Sequence, residues 1–192
     1  MYYWTSYKEF FDNLNRQEYL ILRNYENLLL DIERGDDLDL LCRNKNDFIN
    51  SIGAVPLQFD GECFNYYVMI NEKKILLDIR MVGDGYYDLH WEDEMLKRRI
   101  WYNFFYVMDI MDYKYSLLYH AIIHKRTISE QYLDKLSLLF KENIKDRKIR
   151  MRCLRQFLKE NAYQLSKPVD MGVTVNKRNY RQLYWIMKFG CL

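Results

Sequence analysis

The stretch ERGDDLDLLC, residues 33–42, is the most informative in the chain, because three aspartates directly precede a run of apolar residues. In a β-strand, successive side chains alternate between the two faces. A strand over residues 37–42 would therefore project Asp37 and Asp39 to one side, while Leu38 and Leu40 point the other way into the core. Carboxylates held against a core need a partner. The pattern predicts a carboxylate pair on one face of a sheet.

A second strand carries a further acid that belongs with this pair. Asp78 stands alone in the apolar run KILLDIRMV, and Arg80 follows two residues later on the same face. If this strand neighbours residues 37–42, three carboxylates crowd into one small volume and repel one another unless a hard cation lies among them. Mg²⁺ or Mn²⁺ is the expected occupant, and two such ions would serve phosphoryl or nucleotidyl transfer.

A purely structural interpretation of the same acids stays open. Asp36 and Asp37 would then cap the loop before the strand, and Asp78 would pair with Arg80 or Arg23. In either interpretation Asp36 faces away from the carboxylate pair and is expected to be a loop or capping residue.

The residues after the third acid indicate a tight turn, since Gly83 and Gly85 flank an aspartate. This turn would bring Tyr86, Tyr87 and Trp91 near the end of the strand. One of these rings could stack on a base or a sugar. Ordinary packing of the rings is the alternative.

The remaining pattern predicts an α+β fold, with a small mixed sheet in residues 1–90 followed by a helical lobe in residues 91–192. Apolar residues recur at helical spacing from about Trp91 onward. A tight connection at Asn71 and Glu72 indicates a β-hairpin. The predicted helices of the first half cover residues 6–15 and 44–53, and its strands cover residues 19–24, 37–42, 64–71 and 73–83. The predicted helices of the second half lie within residues 91–112, 115–125, 129–144, 146–165 and 178–189.

Charge is distributed unevenly along the chain, which supports two lobes. Residues 1–95 contain 9 Lys and Arg against 19 Asp and Glu, whereas residues 96–192 contain 20 against 8. Metal ions bound by the first half would balance its excess of negative charge, and phosphates bound by the second half would balance its excess of positive charge. Alternatively, two solvated surfaces simply differ in sign.

The remaining composition favours a cytoplasmic protein with free thiols. The cysteines form no C-x-x-C pair, and they are Cys42, Cys63, Cys153 and Cys191. No N-terminal signal pattern is recognisable. No apolar run approaches the roughly 20 residues that span a bilayer.

The order of strand, turn, D-x-D on the next strand and a single Asp on a later strand resembles the nucleotidyltransferase fold of the DNA polymerase beta superfamily. The resemblance covers roughly residues 19–80, and a helical lobe is compatible with it. It implies that Asp37, Asp39 and Asp78 bind the metal ions. It also implies a nucleotide or nucleotide-linked donor.

One feature departs from that superfamily, which usually has Gly-Ser at the turn after the first strand to hold the triphosphate. Here the corresponding residues are LRNYENLL, so Arg23 and Asn24 are the candidate phosphate contacts. An arginine near the first strand followed by D-D-x-D is similar to the LicD-like branch. That branch decorates surface polysaccharides by transferring a phosphorylated alcohol. The resemblance further implies that Arg80 and Lys125 steady donor phosphates.

These observations lead to an expected function. The chain would be a metal-dependent nucleotidyl- or phosphotransferase acting on a sugar, a glycan or another small hydroxyl acceptor, in surface polysaccharide biosynthesis. Asp78 would also draw the proton from the acceptor hydroxyl. One alternative is a nucleotidyltransferase directed at RNA or a nucleotide, although the basic segment KDRKIRMRCLRQ lacks the interleaved aromatics that favour nucleic-acid binding. Another alternative is a catalytically degenerate binding subunit.

Overall fold

The structure, a computed structural model, describes residues 3–57, 65–170 and 173–190. The chain divides into two compact units, Met1–Asp109 and Ile110–Leu192. This division lies further along the chain than the predicted boundary at residue 90, because the helix Leu89–Lys97, which spans that residue, and the β-hairpin after it belong to the first unit. Cys63 and Cys191 lie outside the described residues, and Cys42 and Cys153 are free thiols.

The first unit is mixed α/β, as predicted, with eight strands and four α-helices among its described residues. A 3₁₀ turn, Tyr25–Asn27, follows the second strand. In chain order the elements are β1 Tyr3–Trp4, α1 Tyr7–Leu14, β2 Tyr19–Ile21, α2 Leu28–Glu33, β3 Leu38–Cys42, α3 Lys45–Ile52, β4 Val55–Pro56, β5 Asn65–Ile70, β6 Lys73–Met81, α4 Leu89–Lys97, β7 Ile100–Tyr102 and β8 Phe105–Val107.

Local sequence signals fix several of these boundaries. The Ser6 hydroxyl accepts a hydrogen bond from the backbone N–H of Glu9 and caps α1. The Asn44 side chain caps α3, which ends at Gly53 in the left-handed conformation, φ 62°. The predicted hairpin of β5 and β6 is confirmed, and both of its turn residues, Asn71 and Glu72, have positive φ.

All the strands belong to one mixed sheet, whose order is β1-β5-β6-β3-β2-β8-β7, with β4 paired to β5. Strand β3 lies near the centre, antiparallel to β2 and parallel to β6. The β3–β6 register sets Asp39 directly opposite Asp78. The two strands predicted to be neighbours are therefore neighbours, and their acids share one face of the sheet.

The opposite face of β3 and β6 belongs to the hydrophobic core. Leu38 and Leu40 are almost fully buried, and they pair in register with Leu77 and Ile79. The same core cluster includes Phe10, Phe11 and Leu14 of α1 and Phe48 and Ile52 of α3. The alternation inferred from DLDLLC thus separates an apolar face from an acidic one.

The prediction that residues 91–112 are helical throughout is wrong. Helix α4 ends at Lys97, and β7 and β8 form a hairpin that adds to the sheet beside β2. Phe105 and Val107 are buried and alternate with the half-buried Tyr106, so strand periodicity prevails here. Asn103 takes positive φ in the turn. The run of β-branched and aromatic residues favours this arrangement.

The second unit is helical, as predicted, and Ser129 caps a helix by accepting a hydrogen bond from the N–H of Tyr132. A π-helical turn, His120–His124, continues the first helix of this unit, which ends at Tyr119. Within the described ranges no helix is both long and apolar enough to cross a membrane. The helices are α5 Ile110–Tyr119, α6 Glu130–Phe140, α7 Arg147–Glu160 and α8 Lys177–Phe189.

Candidate metal and phosphate site

The three predicted acids come together in the first unit, and we call Asp37, Asp39 and Asp78 the acidic triad. Each offers a carboxylate oxygen, and these oxygens all lie within 4.8 Å of one another. Asp39 and Asp78 are nearly buried, whereas Asp37 immediately precedes β3 and is exposed. Asp36 is exposed as well and lies outside the triad, as predicted.

Two arginines neutralise the buried acids. Arg23 Nε donates to Asp39 Oδ2 at 3.0 Å, and its Nη2 contacts Asp39 Oδ1, so this pair is bidentate. Arg80 Nη2 lies 3.0 Å from both carboxylate oxygens of Asp78. Four of the predicted site residues therefore form ion pairs. The pairing of Asp78 with Arg80, anticipated by the structural interpretation, is the arrangement that the structure contains.

Tyr86 links the two arginines. Arg23 Nη1 donates to the Tyr86 hydroxyl at 2.8 Å, and the Arg80 guanidinium lies 4.8 Å from the centre of the same ring. The rings of Tyr86, Tyr87 and Trp91 are buried and pack edge to face. Their burial favours the packing interpretation of these aromatics over stacking on a base or sugar, and Tyr86 also contacts both guanidinium groups.

The electrostatics of the triad reflect burial and crowding. Burial raises the pKa of Asp78 to about 6, with a further increase from Asp39 and an opposing effect of Arg80. Although the residue as a whole is exposed, partial desolvation of its carboxylate also raises the pKa of Asp37, and the charge of Asp39 adds to this increase. Three carboxylates and two guanidiniums leave a formal charge of −1 when all are ionised.

The triad fits a hard divalent cation by its donor chemistry. Mg²⁺ and Mn²⁺ prefer carboxylate oxygens, and the triad supplies three such groups close together. Asp78 Oδ1 accepts no hydrogen bond from the described residues, although it lies close to the Arg80 guanidinium. The arginine partners are the competing cations, so the occupancy of the triad depends on what else the guanidiniums can bind.

The two other predicted phosphate contacts are placed less directly. Asn24 is exposed and adopts the left-handed conformation, φ 54°, immediately before the 3₁₀ turn. Asparagine tolerates this conformation better than most residues. Lys125 belongs to the second unit. Their contacts to phosphate stay predictions.

A second group of possible ligands lies on helix α4, where His90, Asp93 and Glu94 also place ligand atoms within 4.8 Å of one another. Hydrogen bonds from Lys97 and then from Arg43 hold the pKa of Asp93 at about 2. Lys97 also binds Glu94. These carboxylates are partly exposed and already pair with Lys97 and Arg43. The triad, in which Asp39 and Asp78 are nearly buried, is therefore the stronger candidate.

Sequence reasoning missed a second pair of buried acids, Asp84 and Glu92, which hold the loop after β6. Asp84 accepts from the N–H groups of Met81 and Tyr86, and Glu92 accepts from those of Gly83 and Tyr87. The glycines around Asp84 predicted the turn, and both have positive φ. No sequence signal indicated that Glu92, in a helix rich in acids, is fully buried.

The buried Glu92 carboxyl predicts a pH-dependent stability. Burial, with a contribution from Asp84, raises its pKa from 4.5 to about 8. The folded chain therefore keeps a proton that the unfolded chain releases, so the free energy of unfolding falls between about pH 4.5 and pH 8. Its slope reaches at most about 1.4 kcal/mol per pH unit. Glu92→Gln is expected to flatten this dependence in urea unfolding measured at several pH values.

Glu94→Gln is the matched control on the same helix, because Lys97 lowers the pKa of Glu94. That variant should keep the wild-type slope between pH 5 and pH 8. An unchanged slope in Glu92→Gln would show that Glu92 is ionised in the folded chain.

Comparison of the chain with models of protein families, with curated proteins and with solved structures gave no match. Functional inference therefore depends on the geometry of the chain itself.

Proposed function

We propose that the first unit is a nucleotidyltransferase-like lobe that binds Mg²⁺ or Mn²⁺ together with a nucleotide or nucleotide-linked donor. The reaction is transfer of a nucleotidyl or phosphoryl group to the hydroxyl of a sugar, glycan or other small acceptor. Surface polysaccharide biosynthesis in the cytoplasm is the proposed context. The observation that carries this proposal is the parallel register of Asp39 and Asp78, with Asp37 completing a triad within 4.8 Å.

In this proposal each residue of the site has a distinct role. The triad holds the cation, which when bound neutralises charge on the donor phosphates. Asp78, on the central strand β6, also accepts the proton of the acceptor hydroxyl. Arg23 and Arg80 bind donor phosphates, for which a guanidinium offers paired N–H donors. Tyr86 orients both guanidiniums through the contacts described above.

The two ion pairs would link the binding of the cation to the binding of the donor. A divalent cation bound by the triad would neutralise Asp39 and Asp78, which the two guanidiniums otherwise neutralise. Arg23 and Arg80 then need new anionic partners, and phosphates supply them. Cation and donor are therefore expected to bind cooperatively, each weakly when alone.

A direct test is ³¹P NMR of the wild-type chain with Mg²⁺ and separate nucleoside triphosphates or nucleotide-linked donors, with simple sugars as acceptors. Release of pyrophosphate indicates nucleotidyl transfer, whereas release of a nucleoside monophosphate indicates transfer of a phosphorylated alcohol. Addition of EDTA should stop either reaction. If no donor is consumed and none binds in a metal-dependent way, the proposal is wrong.

A second candidate function is a binding subunit that does no chemistry. The specific observation in its favour is that Arg23 and Arg80 already neutralise the two buried acids. In this case the ion pairs would be permanent structural elements, and divalent cations would leave the stability of the chain unchanged.

A further inference from the structure

A cavity in the second unit concentrates positive charge. It has a volume of about 310 Å³ and includes five cationic side chains among its lining residues. No carboxylate of the described residues lines it. The five cations are Lys125, Arg126, Arg147, Arg150 and Arg178. We call this feature the basic cavity.

The cations of the basic cavity lack carboxylate partners. Among the described ranges none of the five forms an ion pair, although other cations of this unit do. Arg147 instead donates to neutral acceptors, the side-chain oxygens of Asn179 and Gln182. Lys145, which does not line the cavity, pairs with Glu130 and Asp134. Glu130 and Asp134 thus pair with Lys145 and not with a cation of the cavity.

Arg150 is the most deeply buried cation of the cavity. The residue is only 8% exposed, and its Nη1 donates to the backbone carbonyls of Ile144 and Lys145. Its Nε is buried and has no hydrogen-bond partner among the described residues. A buried guanidinium that keeps an unpaired N–H is costly. An anion in the cavity would offset part of that cost through its charge, without a hydrogen bond to Nε.

The backbone adds to the positive potential. Helices α7 and α8 both begin at this cavity, since Arg147 and Arg150 lie in the first turn of α7 and Arg178 and Asn179 in that of α8. The N-terminus of a helix carries a partial positive charge that favours anions. Asp146, which caps α7, is the acid whose charge opposes this field at Arg150.

The residues that shape the cavity are held by specific contacts. Asn179 Nδ2 donates to the carbonyl of Ile122 at 2.8 Å, within the π-helical turn that precedes Lys125. Asn176 Nδ2 donates to the carbonyl of Lys125. π-Helical turns occur frequently at functional sites. These bonds fix the start of α8 against the end of the α5 segment, so the cavity is built from ordered elements.

We propose that the basic cavity binds a phosphate-bearing small molecule, through a phosphomonoester or diphosphate group. The arginine fork matches phosphate oxygens in bidentate geometry, and several cations favour a ligand with more than one negative charge. The volume suits one phosphorylated group rather than an extended chain. No aromatic side chain of the described residues lines the cavity, so the stacking that supports nucleic-acid binding is lacking. This inference is independent of the function proposed for the triad.

The test is isothermal titration of the full chain with pyrophosphate, in EDTA and at constant ionic strength, so that no divalent cation takes part. The double variant Arg126→Gln/Arg178→Gln changes two exposed side chains of the cavity. We expect it to weaken pyrophosphate binding at least about tenfold. Arg152→Gln is the matched control, because Arg152 is exposed on α7 and does not line the cavity. It should bind within about twofold of the wild type.

Absence of binding by the wild-type chain, or an equal loss in Arg152→Gln and the double variant, would overturn the proposal. The double variant Asp78→Asn/Arg80→Gln separates this site from the triad, because it removes a proposed phosphate contact of the first unit together with its acidic partner. Metal-free binding that persists in this variant supports the basic cavity, whereas its loss would assign the phosphate to the first unit. Thermal unfolding of the double variant should match that of the wild type and thereby exclude misfolding.

Discussion

Replacing Asp78 by asparagine is expected to lower metal-dependent transfer at least about 100-fold, because a directly bound carboxylate should matter at least as much as the outer partners of a metal site. Asparagine has nearly the same shape as aspartate, and its side-chain oxygen can still accept from Arg80. The fold should therefore survive while the negative charge is lost. The measurement is the initial rate of donor consumption at saturating Mg²⁺, with the thermal unfolding temperature recorded in parallel.

Asp36→Asn is the matched control for this experiment. Asp36 lies in the same acidic string but is exposed and outside the triad. Its replacement should leave the rate within about twofold of the wild type, since an exposed charge contributes little in a screened medium. Equal effects of the two substitutions would mean that net charge, and not the triad, controls the reaction.

Arg23→Ala is expected to destabilise the chain by about 3–5 kcal/mol, the usual cost of removing one partner from a buried ion pair. The side chains of Arg23 and Asp39 are only 10% and 9% exposed. Truncation leaves the Asp39 carboxylate beside Asp78 without its bidentate partner. Urea unfolding at neutral pH measures the loss. Arg34→Ala is the control, because the pair of Arg34 with Asp31 is largely exposed and should contribute at most about 1 kcal/mol.

The double variant Arg23→Met/Asp39→Leu tests the same ion pair by removing both of its members. Replacing both members of a buried pair with apolar residues is often neutral or stabilising, so this variant should regain most of the lost stability. It should not regain metal-dependent activity. A loss of less than about 1 kcal/mol in Arg23→Ala would indicate that the pair behaves like a surface salt bridge.

The central arrangement of the site followed from simple sequence physics. Side-chain alternation placed Asp37 and Asp39 on the face opposite to Leu38 and Leu40. The lone Asp78 in an apolar run indicated a second strand that carries a buried charge, and such a charge needs an ionic partner or a bound cation. Both strands proved to be parallel neighbours in register. Local patterns sufficed because one face of the two strands is wholly apolar, whereas the other carries the charged Asp39, Asp78 and Arg80.

The hairpin of β7 and β8 could not be predicted in the same way. Residues 100–107 place apolar side chains at spacings that satisfy both a helix and a strand. The outcome depends on the free edge of β2, which accepts β8 at the Ile21 and Val107 positions. A non-local pairing of that kind is invisible to a window of neighbouring residues.

The identity of the charge partners was equally hard to foresee. The sequence allowed Asp78 to pair with Arg80 or with Arg23, and only the register of β2 against β3 brings Arg23 to Asp39 instead. The burial of Glu92 depends on the loop after β6, whose N–H groups reach its carboxylate. Sequence patterns identify which charged residues belong to the site, but tertiary contacts determine which of them form ion pairs.

The most direct measurement of the central claim is nucleotide binding by isothermal titration, with each nucleoside triphosphate in turn, in saturating Mg²⁺ and in EDTA. Metal-free binding reports on the basic cavity. Because Mg²⁺ also complexes the triphosphate itself, Asp78→Asn provides the baseline for the effect of Mg²⁺. We expect Mg²⁺ to tighten binding of at least one nucleotide about tenfold or more in the wild type and in Asp36→Asn, and not to tighten it in Asp78→Asn. Identical affinities with and without Mg²⁺ for every nucleotide, or a Mg²⁺ effect that persists in Asp78→Asn, would contradict the assignment of Asp37, Asp39 and Asp78 as a metal and phosphate site.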